Sequence, residues 1–186
     1  MKRAFDFLIG LFGIIVLSPL FVVIIIAILI DDGSPAIFTQ ERVGKDNKIF
    51  KIYKFRTMKK GTGDYATADI KDLDDKTTPF GRFLRKTSLD ELPQFINLVN
   101  GTMSLVGPRP LIPSEKQIRK LREELGVYSV LPGITGWAQV NGRDDVSVEE
   151  KARLDKEYVD KQSIAFDIEI LLKTVKMVIT REGNIG

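Results

Sequence analysis

Two adjacent carboxylates, Asp90 and Glu91, stand near the start of the stretch TSLDELPQFINLVNGTMSLVGPRP, which runs from Thr87 to Pro110. Ser88, three residues before Glu91, makes a capping-box signal for a helix start. Leu92, Phe95, Ile96 and Val99 then recur at i, i+3, i+4 and i+7, one apolar helix face. Asn100-Gly101 is a stop signal. The acid pair therefore falls at a helix N-terminus, where the dipole and free amide N–H groups favour ionised carboxylates. Downstream, Gly107-Pro108-Arg109-Pro110 is a stiff turn that presents one arginine, and Arg82, Arg85 and Lys86 lie just upstream. An ionised acid pair framed by fixed arginines suits chemistry on a phosphate. The plainer reading is that Glu91 only caps. Against it, Pro93 would sit inside the helix without the N–H needed there, so the first turn is expected to be irregular.

Composition narrows the chemistry. The chain has 186 residues, with 28 Lys and Arg against 25 Asp and Glu, a net charge of +3. There is no cysteine, so disulfides, thiol nucleophiles and thiolate metal sites are excluded. There is no histidine, so imidazole bases and histidine metal ligands are excluded too. Catalysis falls to Asp, Glu, Lys, Arg, Ser, Thr and Tyr, and any metal would take oxygen ligands, as Mg²⁺ does. The positive balance suits a membrane surface or phosphorylated substrates, and nucleic acid is not expected as a partner.

The elements that must position these groups begin with Met1-Lys2-Arg3 and a long apolar segment from Phe7 to Ile30, interrupted only by Gly10, Gly13, Ser18 and Pro19. Its length is enough to span a bilayer. Proline at mid-segment bends a helix and leaves two arms of about 16 Å each. Lys2 and Arg3 favour a cytoplasmic N-terminus. A spanning helix would then put the rest of the chain outside, away from any nucleotide. A re-entrant hairpin broken at Ser18-Pro19 resolves that conflict, with Ser18 bonding a carbonyl freed by the proline. A kinked spanning helix also fits the residues.

Ala36–Arg42 and Ile49–Met58 read as two short strands around Gly44-Lys45-Asp46-Asn47. Lys54 and Arg56, two apart, would share a strand face; solvated edge charges are the plainer reading. Residues 59–76 read as a loop, either a lid or a surface linker. Pro79 starts a short helix carrying Phe80, Phe83 and Leu84. Ser114–Leu125 is a basic amphipathic helix, with Lys116, Arg119, Lys120 and Arg122 opposite Ile118, Leu121 and Leu125; it fits an anionic membrane or an ordinary surface. In LPGITGWAQVNGR (131–143) the glycines permit close backbone approach to a ligand. Trp137, Gln139, Asn141 and Arg143 could stack on and bond a base, unless Trp137 is a core plug. Ser147 with Glu150 caps a helix running to about Asp160, and Phe166–Thr180 forms the last helix, with a broad apolar side.

Taken together, these blocks resemble the monotopic phosphoglycosyl transferase family of small bacterial sugar transferases. The matching stretches are the apolar N-terminus with Ser18-Pro19, Gln40–Gly44, Phe50–Met58, Phe80–Gln94, Met103–Pro110 and Pro132–Arg143. The resemblance is to the family's minimal form, without the extra N-terminal membrane domain of longer members. It implies an α/β, mostly helical monotopic membrane protein. Residues 1–32 would be a re-entrant membrane helix, and residues 33–186 a cytosolic catalytic domain with a short β-hairpin and amphipathic interfacial helices. It further implies transfer of a phospho-sugar from a UDP-sugar to a polyprenol (undecaprenyl) phosphate with release of UMP, at the cytoplasmic face of the bacterial inner membrane. Asp90 would be the nucleophile of an Asp90–Glu91 dyad and form a covalent aspartyl-phosphosugar intermediate, with Mg²⁺ at Asp90. Arg109 and Arg85 would bind phosphate; Lys54 and Arg56 are further phosphate candidates, and Gln139, Asn141 and Arg143 nucleotide candidates. Two rivals remain open: a membrane-anchored basic binding module without catalysis, and a glycosyl transferase that releases UDP. The sugar and the oligomeric state are not fixed by the sequence.

Overall fold

A computed structural model describes residues 2–62, 73–142 and 146–180. The apolar N-terminus forms α1 (Lys2–Asp32), one 31-residue helix with Pro19 inside it. The expected break at Ser18-Pro19 does not divide the helix. Proline deprives the carbonyl four residues back, that of Ile15, of its donor. The Ser18 hydroxyl takes that carbonyl at 2.8 Å, so the backbone group is satisfied and the helix continues.

Both arms of α1 lie on the same folded body. Near its start, Arg3 donates to the carbonyl of Leu98 and, at 2.8 Å, to that of Val99, while Asp6 accepts from the Leu105 N–H at 2.9 Å. Gly10 lets the helix come close: a Cβ there would lie 2.8 Å from Leu98 Cβ. Near its end, Ile24 and Ile28 are buried with Ala36, Phe55 and Leu84. Its other face is bare, with Phe12, Ile15 and Val23 each more than 60% exposed.

The hairpin predicted from the sequence is present as β1 (Ile37–Val43) and β2 (Ile49–Phe55), antiparallel with Gln40 opposite Ile52. The turn between them uses Asp46 and Asn47 in the left-handed region. Of the loop 59–76, residues 63–72 lie outside the described set. Its ends are pinned together by a bridge between Met58 and Thr77, and its tail is a helical turn, α2 (Leu73–Lys76). α3 (Pro79–Lys86) starts as expected at its proline, with Thr78 Oγ1 accepting from the Gly81 N–H at 2.9 Å. A 3₁₀ turn (Leu89–Gln94) leads into α4 (Phe95–Asn100), which ends at Gly101 with φ 76°.

A second, parallel pair joins β3 (Ser104–Val106) to β4 (Gly133–Thr135). The sequence reading had placed a glycine-rich loop at β4. α5 (Lys116–Glu124) follows, then α6 (Trp137–Val140), α7 (Val148–Lys161) and α8 (Ile164–Thr180). Ser147 caps α7 as predicted, accepting from the Glu150 N–H at 3.1 Å. α5 is not basic on one open face: Arg122 points inward and is 3% exposed. α8 buries Ile170 beside Tyr158 and Val106 but leaves Ile168, Leu172 and Val175 exposed.

Candidate active site

Asp90 and Glu91 sit in the 3₁₀ turn, and the turn is not built by the expected capping box. Ser88 adopts φ 55°, in the left-handed region, and its side chain caps nothing. Pro93 lies inside the turn. Lacking an N–H, it cannot donate to the Leu89 carbonyl as a continuous α-helix would require, and the chain takes a 3₁₀ turn before α4 begins. This turn packs on β2. The pairing places Lys54 Nζ 2.6 Å from Glu91 Oε1 and 3.9 Å from Asp90 Oδ2.

Asp90 is the more enclosed of the two carboxylates, its side chain 13% exposed against 40% for Glu91. Burial pushes its carboxyl up to about 6, against the pull of Lys54; Glu91 adds to the rise, and Arg85 and a backbone hydrogen bond oppose it. Asp90 is therefore mostly ionised at neutral pH though poorly solvated.

A cleft opens beside this pair. It is lined by Lys54, Glu91, Arg109 and Gln139, all sequence candidates, and by Arg42 and Gln94, which the sequence reading did not single out. Strand register explains Arg42 and Lys54: cross-strand partners share a face, and Phe38↔Lys54, Gln40↔Ile52 and Arg42↔Phe50 put both cations on one side of the hairpin. Gln139 donates from Nε2 to the Ile134 carbonyl at 3.2 Å, which fixes its amide at the cleft wall.

The other candidates lie elsewhere. Arg56 is buried at the end of α1, donating to the Asp32 carbonyl at 3.0 Å and pairing with the Asp32 carboxylate at 3.2 Å. It caps the carbonyl end of α1. Asn141 is exposed and donates to the Trp137 carbonyl at 2.8 Å. Arg143 falls outside the described residues. Trp137 is a plug: its ring meets Phe166 at 4.8 Å, Lys173 stands 4.1 Å over it, and its Nε1 donates to Glu157 at 2.8 Å. Ser18 and Pro19 stay within α1, remote in sequence from the cleft residues.

Among the described residues no three acidic side chains gather to hold a metal. Asp90 and Glu91 alone suit Mg²⁺ in the way that ion is commonly held, by one or two carboxylates completed by substrate phosphates and water.

The family model described as bacterial sugar transferase matches residues 1–181. The chain belongs to the bacterial sugar transferase family. Among its relatives within that family, the UDP-glucose:undecaprenyl-phosphate glucose-1-phosphate transferase of Escherichia coli (strain K12) is 41% identical over 182 residues, covering 94% of this chain and 39% of that protein. The undecaprenyl-phosphate galactose phosphotransferase of Salmonella typhimurium (strain LT2) is 39% identical, covering 98% of this chain and 41% of its own length. The sugar transferase EpsL of Bacillus subtilis (strain 168) is 40% identical, with 98% of this chain and 89% of EpsL aligned. The chain thus spans about two fifths of the first two relatives and most of EpsL.

Proposed function

We propose that this chain transfers a phospho-sugar from a UDP-sugar to a polyprenol phosphate, releasing UMP, at the cytoplasmic face of a membrane. The observation that carries the reading is the enclosed Asp90–Glu91 pair held by Lys54 at the edge of a cleft that Arg109 also lines. The relatives' names supply the substrate class: a UDP-sugar in one and undecaprenyl phosphate in both named enzymes. Glucose and galactose enzymes match almost equally well, so identity does not choose the sugar.

The chemistry follows from the groups present. An Asp90 oxygen attacks the phosphorus that bears the sugar. The P–O bond to the nucleoside phosphate breaks, and UMP leaves with the bonding electrons. A phosphate oxygen of the polyprenol phosphate then attacks the same phosphorus, and Asp90 leaves as a carboxylate. Neither step needs a histidine, and two displacements give ping-pong kinetics. Lys54 holds Glu91 and favours the ionised form of Asp90. Arg109 and Arg85 would supply guanidinium charge for the donor's diphosphate, with Arg42 in the same cleft lining as Arg109. Mg²⁺, held by Asp90 and Glu91, would neutralise diphosphate charge.

The membrane reading rests on α1. A helix whose two ends are fastened to one folded body cannot deliver those ends to opposite sides of a bilayer. Its bare apolar face therefore favours seating α1 in one leaflet, beside a lipid acceptor that cannot leave the membrane. The exposed apolar side of α8 suits the same interface.

The test is nucleotide release. Detergent-solubilised protein is incubated with Mg²⁺ and a pool of UDP-sugars, with and without polyprenol phosphate. A UMP burst stoichiometric with enzyme in the absence of acceptor, and sustained UMP in its presence, is expected. UDP instead of UMP would sink the aspartyl mechanism in favour of an ordinary glycosyl transferase. Neither nucleotide, with anionic-vesicle binding that tolerates Asp90→Asn, would support a binding module.

A further inference from the structure

We propose that Arg122 of α5 and Asp155 of α7 form a positioning pair for Arg109. The inference rests on Arg109 being a substrate-binding arm of the cleft. Arg122 Nε donates to Asp155 Oδ2 at 2.8 Å, and Arg122 Nη1 donates to the main-chain carbonyl of Arg109 at 2.7 Å. Both side chains are sealed, at 4% and 1% exposure.

The turn 107–110 shows why this third bond matters. Pro108 and Pro110 fix φ on either side of Arg109, and a residue before proline is held extended. What remains is the setting of the peptide planes, and each carbonyl from 108 to 110 is caught by a different element. The Gly133 N–H of β4 holds that of Pro108 at 2.9 Å, Arg122 holds that of Arg109, and Arg42 of β1 reaches that of Pro110 at 3.4 Å. Arg122 is the fully buried donor of the three side and main chains that is also charged, so its bond is the strongest of the set. Arg109 itself stands between two hollows, the cleft with Lys54 and Glu91 on one side and a small pocket with Arg122 and Tyr128 on the other. A shift of its carbonyl would disturb the backbone from which the Arg109 side chain leaves the turn.

Stability alone does not account for the pair. Burial pushes the Asp155 carboxyl up even against Arg122, so solvation is lost on both partners. Replacing such a buried pair by apolar residues of similar volume is often neutral or stabilising. The bond that apolar residues could not replace is the one to Arg109.

That difference makes the test. The double variant Arg122→Met/Asp155→Leu is compared with wild type for melting temperature and for UMP release across UDP-sugar concentrations. The expected result is a melting temperature at or above wild type, with kcat/KM for the donor down by about 10- to 100-fold, mainly through KM. In an Arg109→Ala background the same pair of changes should cost nothing further. An unimpaired folded double variant, or an equal loss in both backgrounds, would overturn the proposal. Should the double variant not fold, Arg122→Lys takes its place. It keeps a charge for Asp155 but lacks the fork that also reaches Arg109, so donor kcat/KM should still fall, and an unchanged value would overturn the pairing. If wild type itself releases no UMP, the proposed reaction fails on its own. UDP titration of the same variants then decides the positioning: binding weakened alike by Arg109→Ala and by the double variant supports it, and unchanged binding in the double variant sinks it.

Discussion

Two of the ion-pair clusters among the described residues set a cation against carboxylates in contrasting ways. In one, Lys54 meets Glu91 at 2.6 Å and stands off Asp90 at 3.9 Å, at the mouth of a cleft. In the other, Arg122 meets Asp155 through two of its nitrogens, with both side chains closed off from water. Asp155 has a partner that matches its geometry, and nothing further can approach it. Asp90 is largely enclosed too, yet its nearest cation is closer to its neighbour, and that neighbour, Glu91, lines the cleft. Burial with a complete partner suits a pair that holds a neighbouring turn in place; burial with an incomplete one suits a reactive group.

Neutralising each carboxylate should therefore give opposite results. Asp90→Asn should cut UMP release by about 1000-fold or more while leaving the fold intact. Asp155→Ala should do the reverse in kind. It strands a buried guanidinium and should cost about 3–5 kcal/mol of stability, read by chemical denaturation. If Asp90→Asn unfolded the protein and Asp155→Ala did not, the assignment of the two clusters would be inverted.

The pH dependence sharpens the contrast. Asp90 must be ionised to attack, so the UMP burst should fall about tenfold per pH unit below about 6. Stability moves the other way. The folded value lies above the ordinary 3.8, so what Asp90 lends to folding is complete below that value and is lost as pH rises through about 6. At about 1.4 kcal/mol per tenfold, the loss is on the order of 3 kcal/mol. Asp90→Asn should match wild-type stability near pH 4 and exceed it near pH 8. Equal stability at both would mean the carboxylate is well solvated.

Lys54→Met asks how incomplete the open cluster is. Lys54 is the largest influence holding the Asp90 carboxyl down. Without it the midpoint of the burst profile should move above 6, with weaker donor binding. A midpoint that stayed in place would assign the control of Asp90 to Arg85 instead.

Much of the molecule could be read from the chain because the signals were local. The hairpin, the proline-led α3, the capped α7 and the apolar α8 each announce themselves within about twenty residues, and so does the acid pair with its proline-flanked arginine. What could not be read depends on distant partners. β3 and β4 are three residues each, too short for a period of two to register, and they pair across 26 intervening residues. Arg42 carries no signal of its own within its strand, and only the register sets it on the same face as Lys54. Arg122 was counted on an open basic face because its partner is 33 residues away. Arg56 shares a sequence neighbourhood with Lys54 but turns to the end of α1. Asp6 and Leu105, 99 residues apart, carry no signal of each other at all.

The smallest expected effect separates two Ser-x-x-Glu segments that read alike. One leads into the turn of the open cluster, the other into the helix that carries Asp155. Ser147 has φ −61° and its hydroxyl accepts from the Glu150 N–H, so Ser147→Ala should cost about 1 kcal/mol. Ser88 sits at φ 55° with no side-chain cap, so its hydroxyl contributes no cap to lose. Ser88→Gly relieves a left-handed conformation and adds freedom to the unfolded chain, two effects of similar size and opposite sign. Thermal melts should show a drop of a few degrees for Ser147→Ala and almost none for Ser88→Gly. An equal drop in both would mean that Ser88 holds the acid-bearing turn after all, and that the open cluster is braced from its N-terminal side as firmly as the sealed one.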